Sequence, residues 1–102
     1  MGMSDQDIYQ LLRAAEVVGN QYAFSGLCGH SPGWHSSNVC RNRKASVNTL
    51  AVLVAQLQRL ALEEVGVVAR RRIELVADAI NTERLRRAAL DTGAVNIRSA
   101  AS

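Results

Sequence analysis

Two cysteines and two histidines lie within thirteen residues of the sequence, in the order Cys28, His30, His35 and Cys40. Two thiolates and two imidazoles complete a tetrahedral shell for Zn²⁺, and a complete shell is typical of a structural site. The spacing departs from that of common zinc fingers, because the cysteines are not separated by the usual two to four residues. The sequence therefore offers one structural zinc ion as a candidate cofactor, bound by these four residues.

The same residues allow other interpretations. Cysteines in cytosolic proteins are most often small buried apolar residues, and the histidines can be polar loop residues, with His35 beside Trp34. A disulfide is disfavoured in a reducing compartment. A Cys–His nucleophile needs a third group to orient the ring, for which Asn38 is a candidate, and a rigid framework around it. Since the sequence contains no identifiable oxyanion site, substrate pocket or pair of acid–base carboxylates, we do not expect an enzyme.

These residues lie in a segment that the sequence predicts to be a loop. Before it, Ser4 and Asp7 resemble a capping box, and apolar residues recur at helical spacing, so a short helix is expected over about residues 5–18. Residues 19–45 contain glycine, proline and serine without a regular period. This composition predicts an ordered, Gly/Ser-rich loop between two helical parts of the chain.

The second helical part runs from residue 46 to about residue 91 and carries most of the aliphatic residues. Gly66 interrupts it, so the segment is either one long helix, straight or kinked at Gly66, or a hairpin that turns there. We favour the long helix, because the apolar positions keep their phase through Gly66 and a glycine within a helix costs only about 1 kcal/mol. Residues 92–102 are expected to form a loose tail.

A single long helix would leave much of its apolar stripe exposed, since the short first helix cannot cover it. An exposed apolar surface of this size is typical of an interface, so we expect a second chain to lie along it. The residues predicted to form this dimer or partner interface are Leu50, Leu53, Leu57, Leu60, Val65, Val68, Ile73, Val76 and Ile80. The sequence thus predicts one all-α domain that forms a helical bundle as a homodimer.

The net charge of +3 is unevenly distributed, with eleven of the twelve basic residues after position 40. A basic half of this kind permits a polyanionic partner. The candidate nucleic-acid-binding residues are Arg41, Arg43, Lys44, Arg70, Arg71 and Arg72. A helix–turn–helix centred on Gly66 is disfavoured, because the segment after it is strongly apolar. No apolar run approaches the about 20 residues of a membrane span, and no secretory signal is visible, so we expect a cytoplasmic protein.

These patterns favour a small non-enzymatic regulatory or inhibitory protein that acts through protein–protein contacts of a helical dimer. The alternative is a basic dimeric regulator that binds nucleic acid. The two differ in salt dependence, because binding to a phosphate backbone weakens steeply as the salt concentration rises. A Cys/His-dependent enzyme is the least favoured interpretation, and none of the motifs identifies a family.

Overall fold

The computed structural model describes the backbone of residues 2–101 and the side chains of residues 2–90. All regular structure in this part of the chain is helical, which confirms the all-α prediction. Five helices follow one another: α1 (Asp5–Ala14), α2 (Gln21–Leu27), α3 (Trp34–Cys40), α4 (Val47–Glu63) and α5 (Val67–Ala101). α4 packs along α5, α2 packs on α3, and α1 packs on α5. Within the described residues, no helix has both the length and the hydropathy needed to cross a bilayer.

α1 begins at the predicted capping box. The Ser4 hydroxyl accepts a hydrogen bond from the Asp7 N–H at 3.1 Å, and the Asp7 carboxylate accepts one from the Ser4 N–H at 3.0 Å. The helix ends four residues earlier than expected, because Glu16 adopts a left-handed φ of 62°. This conformation lets the Val17 N–H bond to the Leu12 carbonyl at 2.9 Å, as in a Schellman motif.

The prediction of one continuous loop over residues 19–45 is wrong, because this segment contains α2 and α3. Each of these helices has only seven residues, and two helical turns are too few for the 3.6-residue period to stand out. The Asn20 side chain caps the start of α2 by accepting the Ala23 N–H at 2.9 Å. Aromatic rings then supply the packing: Phe24 lies against Tyr9 and Trp34, at ring-centroid distances of 5.6 and 6.3 Å.

α4 and α5 form an antiparallel hairpin, so the long continuous helix that we favoured is not found. The chain turns at residues 64–66, where Glu64 has an extended backbone with a ψ of 125°. The Gly66 N–H donates to the Glu64 carboxylate at 3.1 Å, and the Arg70 guanidinium donates to the Glu64 carbonyl at 2.8 and 3.2 Å. Side chains thus satisfy the backbone of a turn that no conventional cap residue marks in the sequence.

The hairpin turns the two halves of the apolar stripe toward each other, and one chain encloses most of it. Seven of the predicted interface residues belong to the protomer's own core or its margin: Leu50, Leu53, Leu57, Val76 and Ile80 are buried, and Leu60 and Ile73 are partly buried against them. Val65 and Val68, by contrast, are exposed. No second chain is needed to cover this stripe, and the oligomeric state stays a prediction.

α5 continues past the predicted helix end near residue 91. A single glycine costs a helix only about 1 kcal/mol, so Gly93 does not by itself end α5. The expected loose tail over residues 92–102 is therefore helical up to Ala101. The side chains of residues 91–101, and Ser102 as a whole, lie outside the described residues.

Candidate nucleic-acid interface

α2 and α3 form a helix–turn–helix unit, and buried side chains of the two helices pack against each other. Phe24 of α2 meets the His35 ring of α3 edge-on, with centroids 4.8 Å apart. The Ser25 hydroxyl is fully buried and accepts a hydrogen bond from the backbone N–H of His35 at 3.0 Å. These contacts fix the start of α3 against α2. The connection between them has six residues, 28–33, and is longer than the turn of about three to four residues in DNA-binding helix–turn–helix motifs.

The turn between the two helices depends on Gly29. Its φ of +82° is a conformation that residues with a side chain rarely adopt. In this conformation the His30 N–H bonds to the Ser25 carbonyl at 3.0 Å, and the Gly29 N–H bonds to the Gly26 carbonyl at 3.0 Å. The two bonds complete a Schellman motif that ends α2 and directs the chain toward α3.

His35 also fastens α3 to α1. Its ring is fully buried, and Nε2 lies 3.1 Å from Oε1 of Gln6. Nδ1 has no hydrogen-bond partner in the described part of the chain. Burial lowers the pKa of His35, and the Asp5 carboxylate opposes this effect. The imidazole is therefore neutral at pH 7 and packs as a buried ring beneath α3.

The opposite face of α3 is exposed and consists mainly of small residues: Ser36, Ser37, Val39 and Cys40. The Ser36 hydroxyl donates to the amide oxygen of Gln21 at 2.6 Å, which connects this face to the first residue of α2. Hydroxyl and amide groups can read the edges of DNA bases in the major groove. Small side chains also let the helix backbone approach a partner closely. This face therefore suits contact with a polar partner.

A short basic segment follows α3 directly. Arg41, Arg43 and Lys44 are exposed, and none of them forms a salt bridge within the described residues. The chain turns here because Asn42 has a left-handed φ of 53°, and the Arg43 N–H bonds back to the Asn38 carbonyl at 2.9 Å. Three cations next to the exposed face of α3 are thus available to a polyanion.

Acidic residues are missing from the surrounding sequence. Between Glu16 and Glu63 the chain has four basic residues and no aspartate or glutamate. This range contains α2, α3 and all of α4 except its last residue. A phosphate backbone that approached α3 would therefore not be repelled by a carboxylate of α2, of α3 or of α4 before Glu63.

A buried ionic network holds the basic segment in place. Arg87 of α5 is only 8% exposed and donates to the Ala45 carbonyl at 2.9 Å, directly after Lys44. The same guanidinium donates to the carboxylates of Glu83 at 2.6 Å and Asp5 at 3.0 Å. Asp5 in turn accepts the Ala45 N–H at 2.6 Å. Both backbone polar groups of Ala45 are satisfied, so α1 and α5 together anchor the end of the basic segment.

The sequence interpretation missed this network, because Glu83 and Arg87 have the i, i+4 spacing of an exposed helix pair. Their position in the helical repeat does indicate burial. Glu83 and Arg87 follow the buried Val76 and Ile80 at steps of three and four residues, so they lie on the same side of α5. The pKa of Glu83 is lowered to about 2, chiefly by hydrogen bonds from Arg86 and further by those from Arg87 and the Met3 N–H. Glu83 is therefore a buried anion at neutral pH.

The four candidate zinc ligands are not gathered around one point. Cys28 is buried and Cys40 is exposed on α3. His30 lies 3.1 Å from the Thr49 hydroxyl and stacks on the Trp34 ring, whereas His35 faces Gln6. No three His, Cys, Asp or Glu side chains among the described residues are placed to hold a metal ion. Binding by this set would need a different arrangement of the segment.

Burial, and to a smaller extent the Asp5 charge, raises the pKa of the Cys28 thiol to about 12. Cys28 is therefore protonated at neutral pH, the form that neither attacks a substrate nor binds a metal well. The zinc hypothesis stays a prediction with a direct test. It requires about one zinc per chain in protein prepared without a chelator, and loss of that zinc in Cys28→Ser; protein without zinc eliminates it.

The second predicted basic group, Arg70–Arg72, differs from the first because its charges already have partners. Arg70 donates to the Glu64 carbonyl, Arg71 pairs with Glu74 at 3.6 Å, and Arg72 pairs with Glu16 at 3.9 Å. These arginines lie at the start of α5, beside the α4–α5 turn. The six predicted nucleic-acid-binding residues therefore form two separate groups, of which Arg41, Arg43 and Lys44 have the freer charges.

Residues 6–96 match a family of unknown function, DUF6626. The match covers α2, α3 and α4 completely and most of α1 and α5, and the chain therefore belongs to this family. No curated protein and no solved structure matches the chain.

Proposed function

We propose that this member of the DUF6626 family binds double-stranded DNA through its helix–turn–helix unit, with α3 as the recognition helix. One observation carries the proposal. The exposed face of α3 carries small side chains, two of them serines, and it is followed at once by three cations without ion-pair partners in the described residues. Small side chains let a helix approach the major groove closely, and cations beside it can bind the phosphates.

The two kinds of contact have different tasks. α3 lies in the major groove, where Ser36 and Ser37 contact base edges and discriminate between sequences. Arg41, Arg43 and Lys44 bind the phosphates beside the groove, which supplies affinity without sequence preference. The fully buried His35 and the Arg87 network hold α3 and the basic segment from behind, so the DNA-facing surface is ordered before DNA arrives.

A protein-contact function, which the sequence favoured, is our second candidate. The apolar stripe, on which the sequence-based hypothesis of protein contact rests, is mostly buried in the protomer's own core. The hypothesis is now supported by apolar residues on the outside of the hairpin that are at least half exposed: Leu62, Val65, Val67, Val68, Leu75 and Leu85. A homodimeric DNA-binding regulator would use such a surface for assembly, so the two candidates are compatible. A cytoplasmic location remains our expectation for either.

The proposal is tested by fluorescence anisotropy with DNA duplexes selected by the protein from a random pool. We expect the triple variant Arg41→Ala, Arg43→Ala, Lys44→Ala to bind every duplex more weakly. Its slope of log affinity against log salt should be smaller by about 3, since each phosphate contact contributes about 0.9. The matched control removes three other arginines at the surface, Arg59→Ala, Arg72→Ala, Arg84→Ala, and should change the slope by less than about 1.

A second arm separates base reading from charge. Ser36→Ala with Ser37→Ala should reduce the preference for the selected sequence and leave the salt slope unchanged, because hydroxyl contacts to base edges carry no charge. Two results would overturn the proposal. One is that the random pool yields no preferred sequence. The other is that the triple variant at Arg41, Arg43 and Lys44 and the control triple variant weaken binding equally.

A further inference from the structure

The outer face of α5 carries apolar residues where a solvated helix normally carries polar ones. Val68 is 74% exposed, Leu75 52% and Leu85 53%. Steps of seven and ten residues place these three within an arc of about 100°, on the side of the helix opposite the buried Ile80. From Val68 to Leu85 this face is about 26 Å long, at 1.5 Å per residue. We refer to Val68, Arg71, Leu75, Asp78 and Leu85 as the outer face.

The charges on the outer face are balanced around its centre. Arg71 and Asp78 are both exposed, and Leu75 lies between them; Arg71 also forms a long, exposed ion pair of 3.6 Å with Glu74 of its own helix, which leaves part of the guanidinium open to a partner. If a second α5 lies antiparallel with the two Leu75 side chains close together, each Arg71 comes opposite Asp78 of the other copy. The face is therefore complementary to itself under a two-fold axis. A foreign peptide of one charge sign would find one attractive and one repulsive residue here.

We infer that a second copy of this chain packs antiparallel on the outer face of α5, with Leu75 at the centre and two Arg71–Asp78 ion pairs beside it. The role of this dimer in DNA binding rests on the proposed function: a two-fold dimer carries two recognition helices for two half-sites. The dimer itself depends only on the outer face. This interface is distinct from the apolar stripe, which lies on the inner side of the same helix.

Sedimentation equilibrium measures the assembly directly. The wild-type protein is expected to have twice the mass of one chain, and Leu75→Asp the mass of one chain. The matched control is Leu62→Asp, which places the same charge at an even more exposed leucine of α4, 81% exposed and outside the outer face. Leu62→Asp should remain dimeric, and far-UV circular dichroism should show that both variants keep the wild-type helix content.

Charge exchange tests the orientation of the two copies. Arg71→Asp places four acids at the interface, and Asp78→Arg places four bases there, so each variant alone should dimerise more weakly than the wild type. The double variant Arg71→Asp, Asp78→Arg should dimerise as the wild type does, because each antiparallel pair across the interface is again of opposite sign, whereas parallel copies would bring like charges together. A double variant that associates no better than either single variant overturns the antiparallel arrangement.

The remaining outcomes separate this inference from the proposed function. A monomeric wild-type protein overturns the dimer, and so does Leu75→Asp with an undiminished mass. Either result leaves DNA binding by a single helix–turn–helix unit intact. A wild-type dimer that is disrupted by Leu75→Asp, but that binds no DNA, supports the interface and overturns the proposed function.

Discussion

His35 and Arg87 are buried polar side chains that support the segment which we propose to bind DNA. The His35 ring packs on Phe24 and lies 3.1 Å from the Gln6 amide oxygen, and the Arg87 guanidinium donates to the Ala45 carbonyl. Breaking a buried ion pair by removal of one partner typically costs about 3–5 kcal/mol, because the other charge is left uncompensated. These residues therefore support the α3 surface without being part of it.

The free energy of unfolding should decrease as the pH falls below about 6.5, the ordinary pKa of histidine. The folded state lowers the pKa of His35. Between that lower value and 6.5 the unfolded chain therefore binds a proton that the folded chain does not, and acid favours unfolding. Glu83 adds a second window, because its pKa is lowered from 4.5 to about 2. Its stabilising effect is complete above pH 4.5 and is lost as the pH falls toward 2.

Urea unfolding at a series of pH values measures both windows. The control variant His35→Gln keeps a planar polar side chain but cannot titrate, so it should lose the decrease just below pH 6.5 and keep the one below pH 4.5. If His35→Gln shows the same decrease as the wild type in the upper window, His35 is not the buried neutral base described above.

At the scale of the helices, three Schellman motifs end α1, α2 and α3, and only one of them uses glycine. Glu16 and Asn42 take left-handed φ values of 62° and 53°, and Gly29 takes one of 82°. Sequence reasoning looks for glycine at a helix end, because glycine adopts this conformation without cost. The sequence therefore indicates the start of α1 at Ser4 but not its end at Glu16, where a residue with a side chain takes the left-handed conformation.

Gly29→Ala should destabilise the protein by about 1–3 kcal/mol, because a side chain at this φ is strained. An added Cβ would come no nearer than 3.6 Å to Val52, so the cost comes from the backbone and not from a clash. The matched control is Gly33→Ala, where φ is −86° and no atom lies within 4 Å of the added carbon. Thermal unfolding should show a clearly lowered midpoint for Gly29→Ala and almost no change of the midpoint for Gly33→Ala. Equal midpoints for the two variants would contradict the importance of this turn.

The candidate site was predictable in part. The cluster of positive charge at Arg41, Arg43 and Lys44 is visible in the sequence. The helix before it is not, because the seven residues of α3 are too few for periodicity and because its contacts with α2 include the ring of His35, for which a role as a polar loop residue was one of the interpretations. The anchoring of Ala45 by Arg87 joins residues far apart in the chain, and helical spacing carries no information about such contacts.

At the scale of the molecule, the apolar stripe has a different role from the one that its sequence pattern indicates. Periodicity identified Leu53, Leu57 and Ile80 as residues that must be covered, and they are fully buried. It could not show what covers them, because a long helix with a second chain and a hairpin within one chain bury the same positions. The turn at Gly66 decides between the two, and it leaves the outer face of α5, with Leu75 at its centre, for assembly.

The most direct measurement of the central claim is the change in amide chemical shifts when a selected DNA duplex is added to the protein. Binding by α3 predicts that the largest changes cluster at residues 33–44, with small changes along the outer face of α5. Changes that cluster at Arg70–Arg72, or a spectrum that the duplex leaves unaltered, would contradict the assignment of α3 as the recognition helix.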